Sequence, residues 1–287
     1  MLGGGKMQVT ALIEDIKPDN EDLYAEKGLS IHIQREDDNI LFDTGVTGAF
    51  VDNARKLGID LTAVDVTAIS HGHFDHGGGL GRFMELNKSS PVYLRPQANG
   101  NHYFKAFYFL KKDVGLDKEL FADYIDRIRL INKFTKISKD AYLLTDMPLK
   151  YPAPAGGKYL YMEKGNQLVP DNFSHEQMMV IQEEDGIVIF SGCSHHGVLN
   201  MVEAALDQFP NTPIKALFGG FHFIGLPFFN HTAESRENIE NIGRKLAEYP
   251  IERVYTGHCT GRKGYPLLKN VMGDIVEYFA TGDTVEL

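Results

Sequence analysis

Hydrophobic positions in this chain come in short, mostly β-branched runs, and each run stops at glycine or at a polar turn. Runs at 8–14, 29–35, 39–43, 63–70 and 90–96 predict strands in the first half. Runs at 177–183, 187–191, 214–218 and 251–256 predict strands in the second. Between them the apolar spacing becomes helical: over 47–57, after Gly79 with Leu80, Phe83, Met84 and Leu86 on one side, over 197–208, and over 232–248. Strands alternating with helices in this way predict an α/β fold, read as a single domain over 1–287 with no repeat of solenoid length.

Residues 98–137 interrupt the pattern. They hold Tyr103, Phe104, Phe107, Tyr108, Phe109, Phe121, Tyr124 and Phe134, and they predict an aromatic-rich helical insertion. Packed on the body or on a second subunit it would be an oligomer contact. Folded over a cleft it would be a lid, with Phe107 and Tyr108 touching a planar or apolar substrate. The apolar stretch "LPFFN" (226–230) would extend the same wall or join the core.

Four of the strands end in side chains that ligate metals. "SHGHFDHGGG" (70–79) puts three histidines and an aspartate into six consecutive positions of a chain with 11 histidines in all. It lies between the strand 63–70 and a helix, the place where α/β folds carry their chemistry. From an extended turn, His71 and His73 can aim at one cation, and Asp75 and His76 at a second beside it. Imidazole with one carboxylate suits zinc, iron, manganese or cobalt and not the oxygen-only shells of calcium or magnesium. The same form recurs in "GIVIFSGCSHHG" (186–197), "IKALFGGFHF" (214–223) and "IERVYTGHCTG" (251–261), which offer Cys193, His195, His196, His222, His258 and Cys259. Asp43, ending "NILFD", reads as an acceptor that orients a ligand histidine through its distal nitrogen.

These motifs resemble the metallo-β-lactamase superfamily, in the branch of the archaeal dihydropterin ribofuranosyl-aminobenzene 5′-phosphate synthase and its bacterial relatives. The likeness runs over roughly residues 8–96 and 175–265. It implies a four-layer αβ/βα sandwich and two divalent transition-metal ions, zinc foremost, with iron or manganese as alternatives. It makes His71 and His73 ligands of the first metal, and Asp75, His76 and His258 ligands of the second. His195 is the choice for the remaining first-site ligand, with His196 and His175 as rivals; the polar surroundings "NFSHEQ" put His175 at the surface. Cys193 stands where an aspartate is expected. The implied activity is hydrolysis of a small anionic substrate by a metal-bound hydroxide, with Asp75 and His195 catalytic and Arg262 a donor at the cleft edge. The alternatives are a C–N bond-forming synthase that uses a dihydropterin pyrophosphate and an arylamine, and a di-iron redox or sensing protein.

Composition narrows the partners. A net charge of −10 without a dense Lys/Arg run argues against nucleic acid. No apolar run is long enough to span a bilayer, which argues against a membrane. "MLGGGKMQ" lacks the apolar core of a signal peptide, and both cysteines lie in the ligand-bearing loops as reduced thiols, so a cytoplasmic enzyme with a small-molecule substrate is expected, and homo-oligomers are left open.

Overall fold

The computed structural model describes residues 7–17, 22–107, 109–226 and 232–287. The chain opens with β1 (Gln8–Ile13), β2 (Ser30–Gln34) and β3 (Asn39–Phe42), then α1 (Ala49–Lys56), β4 (Val66–Ala68), α2 (Phe74–Gly77), α3 (Leu80–Leu86) and β5 (Val92–Leu94). The middle carries β6 (His102–Ala106), β7 (Leu110–Asp113), α4 (Lys118–Asp123), β8 (Ile128–Leu130), β9 (Thr135–Ser138), β10 (Ala141–Leu144), β11 (Leu160–Lys164) and β12 (Gln167–Pro170). It finishes with β13 (Met178–Gln182), β14 (Ile187–Phe190), α5 (Val198–Gln208), β15 (Ile214–Phe218), α6 (Arg236–Leu246), β16 (Ile251–Thr256), α7 (Gly261–Met272), β17 (Val276–Tyr278) and β18 (Thr284–Glu286).

Two seven-stranded sheets form, in the orders β18-β1-β2-β3-β4-β5-β8 and β17-β16-β15-β14-β13-β10-β9. Their strands alternate faces with period two. Ile40 and Phe42 of the first sheet meet Val188, Phe190, Ala216 and Phe218 of the second in an interior apolar layer. Leu41 points the other way, into a cluster with Phe50, Phe83 and Met84 from α1 and α3. Ile189 and Leu217 likewise pack outward against Met201, Ile239 and Leu268 of α5, α6 and α7. Helices therefore cover both outer faces, and the expected αβ/βα sandwich is present. Leu86, counted on the apolar side of α3, instead keeps about a third of its surface in solvent, at 36% exposed.

The segment 98–137 differs from the expectation of a helical insertion. It contains the hairpin β6–β7, a single short helix α4, and β8, which extends the first sheet by pairing in parallel with β5. Aromatic residues favour strands, and here β6 also finds β11 as an antiparallel partner, giving a third sheet in the order β12-β11-β6-β7. Phe107 and Phe109 stack at the exposed hairpin tip, their centroids 6.0 Å apart. Tyr108 and residues 227–230 of "LPFFN" lie outside the described residues.

Candidate metal centre

The first sheet runs antiparallel from β1 to β3 and parallel from β3 to β5, so the C-terminal ends of β1, β3 and β4 lie on one edge. In the second sheet β14, β15 and β16 are mutually parallel. The loops leaving all six ends bring their side chains together. Asp43, Ser194, His222 and His258 in these loops all take left-handed backbone conformations, with φ of 61°, 55°, 49° and 47°. Such conformations are costly for residues with a Cβ and persist where the surroundings dictate them.

Two pairs of imidazoles converge. His71 Nε2 is 3.2 Å from His195 Nε2, and His76 Nε2 is 3.1 Å from His258 Nε2 and 3.2 Å from Cys193 Sγ. The opposite nitrogens of three rings are engaged by acceptors. His76 Nδ1 donates to Asp43 Oδ2 at 2.6 Å, and His258 Nδ1 donates to Asp15 Oδ1 at 2.7 Å. His71 Nδ1 donates to Ser70 Oγ at 2.9 Å, and that hydroxyl in turn donates to Asp43 Oδ2 at 2.7 Å. These contacts put a proton on Nδ1 of His71, His76 and His258 and turn their Nε2 atoms toward the shared space. Nε2 atoms facing each other at about 3 Å are held by a shared proton or a shared metal ion. His73 Nε2, His195 Nδ1 and both nitrogens of His222 are buried with no hydrogen-bond partner in the protein. The donor set fits a divalent transition metal: imidazoles, the Cys193 and Cys259 thiols, and the Asp75 carboxylate 3.7 Å from His258 Nε2.

Burial, reinforced by neighbouring rings, holds His71, His73 and His195 well below the usual imidazole range, which keeps their lone pairs available. Burial also works against charge on His258, but the Asp15 carboxylate outweighs it and raises that pKa. Burial and the nearby Asp15 push the Glu14 carboxyl up to about 7; it accepts hydrogen bonds from the His258 backbone N–H and from the Tyr278 hydroxyl. Burial pushes the Cys193 thiol up.

Cys193 Sγ lies within 4.8 Å of ligand atoms on both sides, joining His71 and His76 in one group and His195 and His222 in another. His195 meets His71 and His73 in a further group, with its ring stacked on Phe173 at 4.4 Å. His196 turns away, its Nδ1 donating to buried Glu176 at 2.6 Å. His175 is not at the surface: it is 1% exposed, because Asp171 and the backbone of Gly72 supply partners for its ring. The sequence reading missed Glu14, Asp15, His102, Asp171 and Glu176. For Glu14 and Asp15 a signal existed, since "VTALIED" ends an apolar run in acids just as "NILFD" does.

Above these side chains opens a cleft of about 500 Å³. Its floor includes His73, Asp75, Cys193, His195, His222 and His258, and its walls include Phe74, Phe104, Tyr159 and Leu160. Lys27, Lys112 and Arg262 stand at the same cleft. Arg262 belongs to the first turn of α7 and not to a loop, a helix that Gly264 and Pro266 disguise in the sequence. Phe107 is 60% exposed and is not among the lining residues, whereas Phe104 on the same hairpin is.

A family model for the metallo-beta-lactamase superfamily matches residues 24–258. A 7,8-dihydropterin-6-methyl-4-(beta-D-ribofuranosyl)-aminobenzene-5′-phosphate synthase from Methanocaldococcus jannaschii is 28% identical, over 90% of this chain and 88% of its own. The solved structure of a metal-dependent hydrolase of the beta-lactamase superfamily is 29% identical, with a TM-score of 0.80 over 98% of this chain and 99% of its own. Zn(2+)-bound PqqB from Methylobacterium extorquens, 10% identical, shares the fold with a TM-score of 0.59 over 98% of this chain and 100% of its own.

Proposed function

The chain belongs to the metallo-beta-lactamase superfamily, and from that premise we propose that it is a metal-dependent hydrolase of a small, anionic, partly planar substrate. The observation that carries this reading is the convergence of the His71–His195 and His76–His258 nitrogen pairs on the floor of a substrate-sized cleft. Two metal ions are proposed, one that would be held by His71, His73 and His195, the other by Asp75, His76 and His258, with Cys193 Sγ within 4.8 Å of ligand atoms from both sets. Divalent transition metals bound there supply Lewis acidity and lower the pKa of water to about 7. The protein's own part is orientation. Asp43, Ser70 and Asp15 aim the imidazoles, Phe74, Phe104 and Tyr159 offer flat apolar walls, and Arg262 with Lys27 and Lys112 attracts an anionic group near the reacting bond. Lys112 stands 4.8 Å over the Phe74 ring, which ties one of these cations to the wall.

The size and aromatic lining of the cleft favour a second reading. A cavity that admits two rings supports the synthase alternative, in which an arylamine, and not water, displaces pyrophosphate from a dihydropterin pyrophosphate; the M. jannaschii relative carries a synthase name.

The test begins with metal analysis of wild type, His71→Ala and His258→Ala, each variant expected to lose metal. Wild-type metal content in both variants would remove the assignment. Matched neutral and phosphorylated esters with one leaving group are then assayed on wild type and Arg262→Ala. Phosphorylated esters should be preferred, and that preference should fall in the variant. A dihydropterin pyrophosphate offered with and without an arylamine separates the two readings, since amine-dependent product belongs only to the synthase.

A further inference from the structure

His73, His102, Asp171 and His175 form a buried group with the composition of another metal site. Its hydrogen bonds say otherwise. His175 Nδ1 accepts the Gly72 backbone N–H at 3.0 Å, and its Nε2 faces Asp171 Oδ2 at 3.2 Å. An Nδ1 that accepts an N–H carries no proton, so the ring proton is on Nε2 and donates to the carboxylate. Neither nitrogen of His175 keeps a lone pair for a metal. Asp171 is committed as well. Its Oδ1 accepts the Phe173 N–H at 2.8 Å, and its Oδ2 also receives His102 Nδ1 at 2.9 Å. His102 Nε2 donates to Gln97 O at 3.1 Å, which closes the network.

Gly72 is the middle residue of the His71–Gly72–His73 turn, and its backbone lies so close to Ala98 that a Cβ would stand 2.8 Å from the Ala98 Cα. With no side chain to anchor it, this turn is held through its peptide groups. Gln177 supports the residues before it, its N–H donating to Ser70 O and its side-chain amide to Ile69 O. His175 supports the turn itself. We propose that His175, held by Asp171, is a positioning residue that clamps the Gly72 amide and thereby sets the separation of the His71 and His73 rings, and that it is not itself a metal ligand. His102 begins β6, so the network also ties the metal-binding turn to the strand whose Phe104 walls the cleft.

The inference rests on the proposed first metal position, and the experiment separates the two. Zn²⁺ affinity of the full chain is measured by competition with a chromophoric chelator, and the coordination bands are read after Co²⁺ substitution, for wild type, His71→Ala, His175→Ala, His175→Asn and His175→Gln. Asn places its carbonyl oxygen where Nδ1 accepts from Gly72. Gln reaches Asp171 but leaves the Gly72 N–H unpaired. Loss of such an orienting contact costs roughly 10–100-fold in metal affinity, so Ala and Gln should fall by that much while Asn stays near wild type. All three should keep the wild-type Co²⁺ bands at saturating metal. If His175→Ala fails to fold, the contrast between Asn and Gln decides. Equal loss in Asn and Gln, with altered Co²⁺ bands, would make His175 a ligand and overturn the proposal. Unchanged affinity in Ala and Gln would overturn it too. Wild-type Zn²⁺ content in His71→Ala would instead remove the metal reading beneath it.

Discussion

Adjacent histidines at 195 and 196 have opposite surroundings, and the cause is Glu176. Its two oxygens accept both backbone N–H groups, and one of them also holds the His196 ring, leaving His195 to swing toward His71. His195→Ala should therefore lose roughly one metal equivalent of the proposed pair and His196→Ala none, as read by elemental analysis. A different histidine, His32 on β2, should add to the acid sensitivity from outside that cluster of histidines. Burial lowers its pKa from 6.5 to about 4. The unfolded chain takes up this proton near pH 6.5 and the folded chain only near pH 4, so the stability it contributes is complete above 6.5 and is lost as pH falls toward 4. Across that window, denaturant unfolding of wild type should lose about 3 kcal/mol more than that of His32→Gln.

Within the β6–β7 hairpin, the two ends divide the labour that the sequence assigns to the whole insertion. The base is tied to the histidine-bearing turn, with Phe74 N–H donating to Val114 O, while the tip carries exposed Phe107 and Phe109. Phe104→Ala should raise KM about fivefold, the loss of about 1 kcal/mol of apolar contact, and leave metal content unchanged. Phe107→Ala should leave the kinetics of the monomer unchanged, and sedimentation would show whether it alters assembly. Aromatic content alone could not place this segment, because short apolar stretches read equally as strand or helix until their partners are known. The strands that end in His or Cys were legible for the opposite reason: their chemistry sits in the same few residues as their hydrophobic pattern. His175 was misread because polar neighbours suggest solvent. Yet Glu176 and Gln177 beside it are buried, and the groups that satisfy this segment, Gly72 among them, lie up to 108 residues away.

Seen as a whole, the sandwich has its chemistry where the two sheets share an edge, with donors from both. Each metal proposed there would bridge the sheets, stabilising the folded state by mass action without being needed to build the apolar layers. At free metal near 100 times Kd this amounts to about 2.7 kcal/mol, so chelation should lower Tm by roughly 5–10 °C and leave far-ultraviolet circular dichroism intact. An unchanged Tm would mean that no metal links the sheets. The distance along the chain between those donors also matters while the protein is being made. His76 and His258 are 182 residues apart, so at cellular synthesis rates of about 5–20 residues per second the early turn waits roughly 10–40 s for its last partner. Cys193 follows His76 by 117 residues and His258 follows it by 182, so through that interval the second sheet is incomplete beside His71, His73, Asp75 and His76, and under the proposed metal reading whichever metal is most available would reach them first. Selection of the proposed metal would then fall to the late-arriving loops at 193–195 and 258, and the order of translation would be part of how such a centre is loaded.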